Sequence, residues 1–336
     1  MMNTIDILPY TIDDNSAALA LEDLCPQGKD IKLRFVRPSF HKRSEVYQKS
    51  RIVCAKFHGK LVGIAAGAEK ILSFHGKTIR AVYGYDLRVH PDFRKYGTAK
   101  KLTDAVLEHF GNEIDCDYTY VGGQNQRALA YVSRGMGSRV MIPLTYHILP
   151  VHKPVKIKID YEFNTMNEVH SLYQEKNPAI EFITSLDSKQ MIGYVNSITL
   201  NKKAGASIWS NEDILAEQVV SMPRRLKSFR LLQKALYPLI KLPKIPALGE
   251  VIKSWFLFDL FAIYDISLRQ LLGTLNNFAF ENGKDFIYIL LQNNDPMVDG
   301  IKHIGVRAFS VPYVFIAKGR CYPDTKDLIY IDIRDL

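Results

Sequence analysis

Residues 86–99 read Asp86-Leu87-Arg88-Val89-His90-Pro91-Asp92-Phe93-Arg94-Lys95-Tyr96-Gly97-Thr98-Ala99. The run Lys77–His90 that leads into them is rich in β-branched and aromatic residues and reads as a long strand. Beyond them Gly97–Phe110 has helical spacing (Ala99, Leu102, Ala105, Val106, Phe110), and Gly111-Asn112 stops it. Pro91 ends the strand, Arg94 and Lys95 put two cations on the loop, and Gly97 can take a positive φ and let backbone approach a ligand. The amides of such a loop and of a first helical turn are unsatisfied, and a helix N-terminus carries about half a positive charge. A strand, a basic glycine loop and a helix in this order make a seat for phosphate oxygens. The Walker spacing and the dinucleotide G-x-G-x-x-G spacing are both absent.

Upstream, Ile5–Tyr10 reads as a strand, and Asp13–Ser16 caps a helix over Ala17–Leu24. Ser50–His58 and Leu61–Ile64 form a hairpin through His58-Gly59-Lys60, and Ala65–Phe74 continues extended to a turn at His75-Gly76. Downstream, Tyr118–Val121 is a strand, Asn125–Gly135 a helix and Arg139–Leu149 a closing strand. Pro150–Lys158, with two prolines and basic residues, reads as a boundary: a first domain over 1–150, a linker over 151–158 and a second domain over 159–336. The second half partly repeats the first. Asn125–Pro143 lies over Asn294–Pro312 without a gap, and Tyr118–Gln124 over Ile287–Asn293, as in a diverged internal duplication.

These residues resemble the GCN5-related N-acetyltransferase (GNAT) superfamily. Leu87-x-Val89-x-Pro91-x-x-Arg94-x-x-Gly97-x-Ala99 is similar to that family's coenzyme A motif, with Ala99 where Gly is commoner. Asn125-x-x-Ala128-x-x-Tyr131-x-x-x-Gly135 is similar to its downstream helix. The resemblance implies an α+β GNAT fold, a mixed central sheet flanked by helices and duplicated in tandem. It also implies two strands that splay apart to admit a pantetheine arm along Leu87, Arg88 and Val89. The pyrophosphate would sit on Arg94, Lys95, Tyr96, Gly97, Thr98 and Ala99, and Asn125 would hold the arm. The implied function is an acetyl-CoA-dependent N-acetyltransferase, with acetyl-CoA as cosubstrate and no metal. A non-catalytic acyl-CoA-binding or interaction protein is the alternative, and transfer of a longer acyl group is a third.

Acetyl transfer to an amine needs a neutral amine, a donor to the tetrahedral oxyanion and a proton for the leaving thiolate. The backbone N–H of Val89 or its neighbour is the expected oxyanion donor. Tyr131 resembles the family's acid tyrosine, against the plain reading of a core-facing aromatic. Asp86 is the nearest carboxylate for a base, Glu69 the second, and a water relay the third reading. His90 reads as a loop residue, and Cys25 has no histidine near it to make it a nucleophile. Phe35–Arg43 with Tyr47 combines aromatics and cations, which suits an anionic amine acceptor or a solvated face equally.

The second half lacks the phosphate loop, since Trp255–Ile266 reads as a strand running almost directly into a helix at Leu268–Asn277. In the duplicated register Tyr131 falls on Gly300, which has no proton to give. A degenerate copy is expected, completing the sheet, shaping the acceptor cleft or forming a homodimer contact. Residues 224–244 hold seven cations and no acid at near-helical spacing, read as a packed helix with a solvated face or a membrane or RNA contact.

Composition agrees with a globular chain: 336 residues, 47% apolar and 24% charged. The net charge of +9 divides unevenly, with 22 Lys/Arg against 15 Asp/Glu over 1–153 and 22 against 20 over 154–336. That fits an anionic ligand in the first half and is too small an excess to imply nucleic acid. Four scattered cysteines form neither a disulfide framework nor a zinc spacing. No apolar run reaches the ~20 residues of a membrane span, and no secretory signal is read at the N-terminus. A cytoplasmic protein is expected.

Overall fold

A computed structural model describes residues 5–28, 30–134, 139–152, 154, 156–157, 160–186, 191–228, 230, 245–302 and 309–336. The first half runs β1 (Asp6–Pro9), α1 (Asn15–Asp23), β2 (Lys32–Val36), β3 (Ser50–Phe57), β4 (Lys60–Phe74), β5 (Lys77–Val89), α2 (Thr98–Phe110), β6 (Cys116–Gly122), α3 (Gln126–Arg134) and β7 (Arg139–Pro150). The second runs β8 (Glu162–Asn164), α4 (Met166–Lys176), β9 (Ile183–Thr184), β10 (Tyr194–Leu200), β11 (Ala204–Trp209), β12 (Ala216–Ser221), β13 (Val251–Ile252), β14 (Ser254–Ala262), α5 (Asp265–Glu281), β15 (Phe286–Gln292), α6 (Met297–Lys302) and β16 (Phe309–Gly319). The sequence-read elements of the first half recur within a few residues. In the second half the strand read to Ile266 ends at Ala262, and the helix starts earlier, at Asp265.

One large mixed sheet runs through the molecule in the order β1-β3-β4-β5-β6-β16-β7-β15-β14-β11-β10-β8, with β9 paired to β4. The pairs β5–β6 and β14–β15 are parallel. The two sequence halves do not own separate sheets. β16 lies between β6 and β7, and β7 lies between β16 and β15, so each half places its last strand beside the other half's. The expected linker begins packed rather than free: Val151 is buried, its amide donates to Asp285 O at 2.9 Å, and the His152 amide donates to Asn276 Oδ1 at 3.0 Å. Lys153, Val155, Lys158 and Ile159 lie outside the described residues, as do Gly135, residue 229 and residues 231–244 of the basic stretch. A second, three-stranded sheet, β13-β12-β2, ties the halves together again, because β2 belongs to the first and β12 to the second.

The duplication is visible in the pairing, with one shift of register. Tyr83 faces Tyr118 at the last parallel pair of the first half, and Phe256 faces Tyr288 at that of the second. The Asn125 amide closes a turn on Gly122 O, and the Asp295 amide closes one on Gln292 O. Gly123 bonds Pro312 O, and Asn293 bonds Pro143 O. The structural counterpart of Asn125 is therefore Asp295, not Asn294, and Tyr131 falls on Ile301, one residue past Gly300. Pro143 and Pro312 still correspond, so the second half is one residue shorter between helix and strand. An ungapped overlay cannot show such a step.

The helices follow from apolar stripes. Leu102 and Val106 of α2 are buried against β4, each worth roughly 1.5–3 kcal/mol of apolar burial. Gly63 and Gly67 on β4 make this possible, since a Cβ at Gly67 would stand 2.4 Å from Val106 and one at Gly63 3.0 Å from Leu102. The opposite face of the sheet carries a larger core that includes Tyr83, Tyr85, Tyr118, Tyr146 and Tyr288. Among the described residues no helix is long and apolar enough to cross a membrane.

Candidate active site

The strand β5 is irregular at the centre of the quoted stretch. Asp86 and Leu87 together oppose the single residue Ala65 on β4, and Asp86 has φ +52°. This is a β-bulge, which leaves a residue out of the ladder and turns its backbone groups. On its other edge β5 pairs with β6 only at Ala81, Val82 and Tyr83. Beyond them Thr119 Oγ1 donates to Gly84 O at 2.8 Å, and the strands part. The main chain from Tyr85 to Val89 therefore borders an opening, as a splayed pair requires. The irregularity, at Asp86 and Leu87, sits two to three residues before Val89.

The loop after β5 turns through a 3-10 segment, Pro91–Phe93, and Gly97 caps α2 with φ +69°. A Cβ at Gly97 would meet nothing within 4 Å, so the glycine turn is open. Among the described residues, no backbone carbonyl accepts from the amides of Lys95 and of Gly97–Lys100. Lys95, Tyr96 and Gly97 are exposed, and Ala99 is half-buried. Thr98 is buried and turns its hydroxyl to Phe93 O at 2.9 Å, so its side chain holds the loop. Arg94 folds back, its Nε donating to Val89 O at 3.1 Å and its guanidinium 3.7 Å from Cys25 Sγ. Asn125 caps α3 by accepting from the Ala128 amide at 3.1 Å.

Tyr131 comes from α3 to meet α2, its hydroxyl 2.6 Å from Thr103 Oγ1. Thr103 gives its single proton to Ala99 O at 2.6 Å, so the phenol is the donor in the Tyr131–Thr103 bond. Burial raises the Tyr131 pKa, against the lowering pull of Thr103, which keeps the phenol protonated as an acid must be. Asp117 on β6 is near enough to act on Tyr131, and burial lifts its own carboxyl to about 6 despite Lys318. Sequence reading missed both partners. Thr103 was within its reach, lying one helical turn after Ala99.

Asp86 does not have the surroundings of a base. Its carboxylate is buried and takes Arg37 Nη1 at 2.7 Å and Arg43 Nη1 at 3.1 Å. Those guanidinium groups outweigh its desolvation and hold it well below the usual carboxylate range. A proton taken there would break two buried ion pairs, so the expected base role is corrected to an anchor for the bulge. Glu69 fares no better: Arg80 at 2.7 Å and Lys49 at 3.1 Å overcome its desolvation and lower its pKa. Two of the cations read as an acceptor-facing surface are likewise spent internally. Arg37 pairs with Glu22 at 2.6 Å as well as with Asp86, Arg43 reaches Asp86 and Asp335 O, and Lys42 pairs with Glu45. Lys42 and Glu45 are a partly exposed surface pair, so of this stretch only Arg37 and Arg43 are buried in internal pairs. Arg88 lies between Asp86 and Glu22, at 4.0 and 3.9 Å.

Residues 332–336 close the same face from below. Lys70 bonds Asp332 at 3.2 Å and Asp335 at 2.8 Å, Tyr118 donates to Asp335 at 3.0 Å, and Tyr83 donates to Asp335 O. Beside them a cleft of about 340 Å³ opens between Tyr47, Lys70, Trp209, Asp332 and Asp335.

In the second half the same strand device recurs without the ligand seat. Asp259 and Leu260 oppose the single residue Ala206, Asp259 has φ +50°, and β14 parts from β15 after Phe256. Asp259 is also buried, with His170 Nδ1 at 3.0 Å and Tyr330 Oη at 2.8 Å as its close partners, and the Arg334 guanidinium acts on it without pairing with it. α5 follows β14 after two residues, leaving no loop, and α6 packs onto it, Gly300 lying where a Cβ would stand 2.9 Å from Leu268.

A bulged strand, a splayed partner and an open glycine turn at a helix start define an acyl-CoA N-acyltransferase fold. Residues 20–137 match the model of the acetyltransferase (GNAT) family. It is similar to Saccharomyces cerevisiae N-myristoyltransferase solved with bound myristoyl-CoA and inhibitors, at 11% identity over 100% of this chain and 84% of that one, TM-score 0.64. A GCN5-related glucosamine N-acetyltransferase region of a fungal GH3 β-N-acetylglucosaminidase gives 16% identity over 95% of this chain and 38% of that one, TM-score 0.58. A GCN5-related N-acetyltransferase from Kribbella flavida gives 9% identity over 93% and 70%, TM-score 0.51. At these identities the likeness is one of fold. No match to a curated protein sequence was found.

Proposed function

We propose that this protein is an acyl-CoA-dependent N-acyltransferase that moves an acetyl group to a primary amine in a ternary complex. The observation that carries the reading is the open turn at Gly97, with the free amides of Gly97–Lys100 beside the unpaired edge of β5. The diphosphate of the coenzyme rests on Arg94–Ala99, drawn by amides and helix dipole together. The pantetheine arm pairs with Leu87–Val89, with Asn125 across from it. The thioester carbonyl then meets the amide turned out at the Asp86–Leu87 bulge, which donates to the oxyanion. The amine, having lost one proton to a water relay, attacks the thioester carbon. The tetrahedral nitrogen gives up a second proton to the same water relay, the C–S bond breaks, the thiolate takes the Tyr131 proton, and the relay returns a proton to the tyrosinate.

A longer acyl group is a second reading, favoured by the likeness of both halves to a protein solved with bound myristoyl-CoA. The test is a thiol-release screen of acetyl-, octanoyl- and myristoyl-CoA over amine classes. Thiol release with acetyl-CoA supports the first reading, and release with myristoyl-CoA alone supports the second. Coenzyme binding with no release from any pair supports a binding protein instead.

A further inference from the structure

On the tyrosine face, β12 carries a carboxylate that the acyl-transfer site does not use. Glu217 lies opposite Phe35 of β2 and is half-buried. Tyr288 Oη donates to Glu217 Oε2 at 3.3 Å. Next to Tyr288 stand Tyr146, with ring centroids 5.1 Å apart, and then Tyr313, 5.4 Å from Tyr146. Three phenol rings on the neighbouring strands β15, β7 and β16 thus line one side of a single carboxylate. Among the described residues no cation pairs with it. Elsewhere on this face carboxylates are neutralised at close range, Asp86 by Arg37 and Arg43, Asp335 by Lys70 and Asp332 by Arg334.

We propose that Glu217, with the rings of Tyr146, Tyr288 and Tyr313, is a binding site for an aliphatic ammonium group of the acceptor. The chemistry is specific: a carboxylate supplies the counter-charge, and aromatic faces attract a cation that has shed water. The place also suits an acceptor. Phe35, the residue paired with Glu217, lies under the Arg88 guanidinium at 5.8 Å, and Arg88 is next to the Asp86 bulge. On the other side Arg43, which pairs with Asp86, acts on Tyr313. The site therefore borders the bulge on the face opposite α2. It deepens the N-acyltransferase reading and rests on it for the word acceptor.

The electrostatics favour a bound cation. Burial lifts the Glu217 carboxyl to about 7, with only the Tyr288 hydrogen bond pulling it down. Facing it, the phenols of Tyr146 and Tyr288 are pushed well above their usual value and Tyr313 to about 12; Arg43 lies beyond Tyr313 and Asp285 beyond Tyr288. A bound ammonium would restore the charged form.

The test is calorimetric titration with n-butylamine and 1,4-diaminobutane as probes and n-butanol as the uncharged control. The wild type is expected to bind both amines saturably and not the alcohol. Its affinity should fall about tenfold from pH 8 to pH 6, as a carboxylate near 7 protonates and the amines stay charged. Glu217→Gln should weaken binding at least tenfold at pH 8 and flatten the pH dependence. Equal affinity in wild type and Glu217→Gln, or no binding of either amine, overturns the proposal. Should the variant not fold, the wild-type pH dependence decides alone, a flat profile counting against the site. Coenzyme A titrated into the same samples separates the two claims. Amine binding without coenzyme binding sinks the acyl-transfer reading and keeps the ammonium site, and the reverse result sinks only the site.

Discussion

The two halves of this molecule share a strand device and differ in what surrounds it. Each has a left-handed aspartate at a bulge, Asp86 or Asp259, and a parallel partner strand that parts after three pairs. In the first half a loop of eight residues separates strand from helix, and Tyr131 touches α2 through one hydroxyl contact with Thr103. In the second the loop is two residues, and α6 lies directly against α5 with Gly300 on Leu268. The bulge and splay are thus a property of the duplicated sheet. What differs between the halves is the loop and the space between two helices.

The largest effect expected from breaking this comparison is on stability. Asp86→Asn leaves Arg37 and Arg43 buried without their common counter-charge and should cost about 3–5 kcal/mol. Asp259→Asn, facing a histidine and a phenol, should cost about 1–3 kcal/mol by the loss of hydrogen bonds alone. Urea denaturation of both variants measures the difference, and equal losses would remove the distinction between the halves.

Next is catalysis. Tyr131→Phe should lower kcat on the order of 100-fold, the usual scale for a lost general acid, with coenzyme affinity within twofold of wild type. Steady-state kinetics on the best amine of the screen, with a coenzyme titration, check this. An unchanged kcat would return Tyr131 to a packing role.

Smaller again is the second half's filled gap. Gly300→Val should destabilise by about 1–3 kcal/mol through overpacking against Leu268, with coenzyme affinity untouched. A loss of coenzyme affinity would show that the second gap matters to binding.

Acid and base titration sharpen the contrast last. Asp86 and Asp332 are held below their ordinary values by buried cations, so the stability they give is present above ~4 and lost as pH falls below it. Glu217 is raised, so its contribution runs the other way, with stability lost as pH rises from ~4 towards about 7. Glu217→Gln should therefore gain stability relative to wild type at pH 8 and not at pH 4. Melting temperatures at the two pH values measure the sign.

Much of the first half was legible because its signals are local. Pro91, Gly97 and the spacing from Ala99 to Phe110 mark strand, loop and helix within one short stretch. The bulge was not legible, since Asp86-Leu87 sits in a strand-like run and one extra residue leaves no mark on it. The buried charges misled for a different reason. Arg37 and Arg43 look like surface cations until the distant Glu22 and Asp86 are brought to them. The exchange of β7 and β16 between halves rests on pairings some 170 residues apart, which no local pattern records.

The most direct measurement is a coenzyme A titration of wild type and Gly97→Asp by calorimetry. Wild type should bind one coenzyme per chain, and Gly97→Asp should lose on the order of 100-fold in affinity, as a side chain forced to positive φ brings a negative charge to the phosphate seat. Two sites per chain, no binding to wild type, or full affinity in the variant would contradict the account.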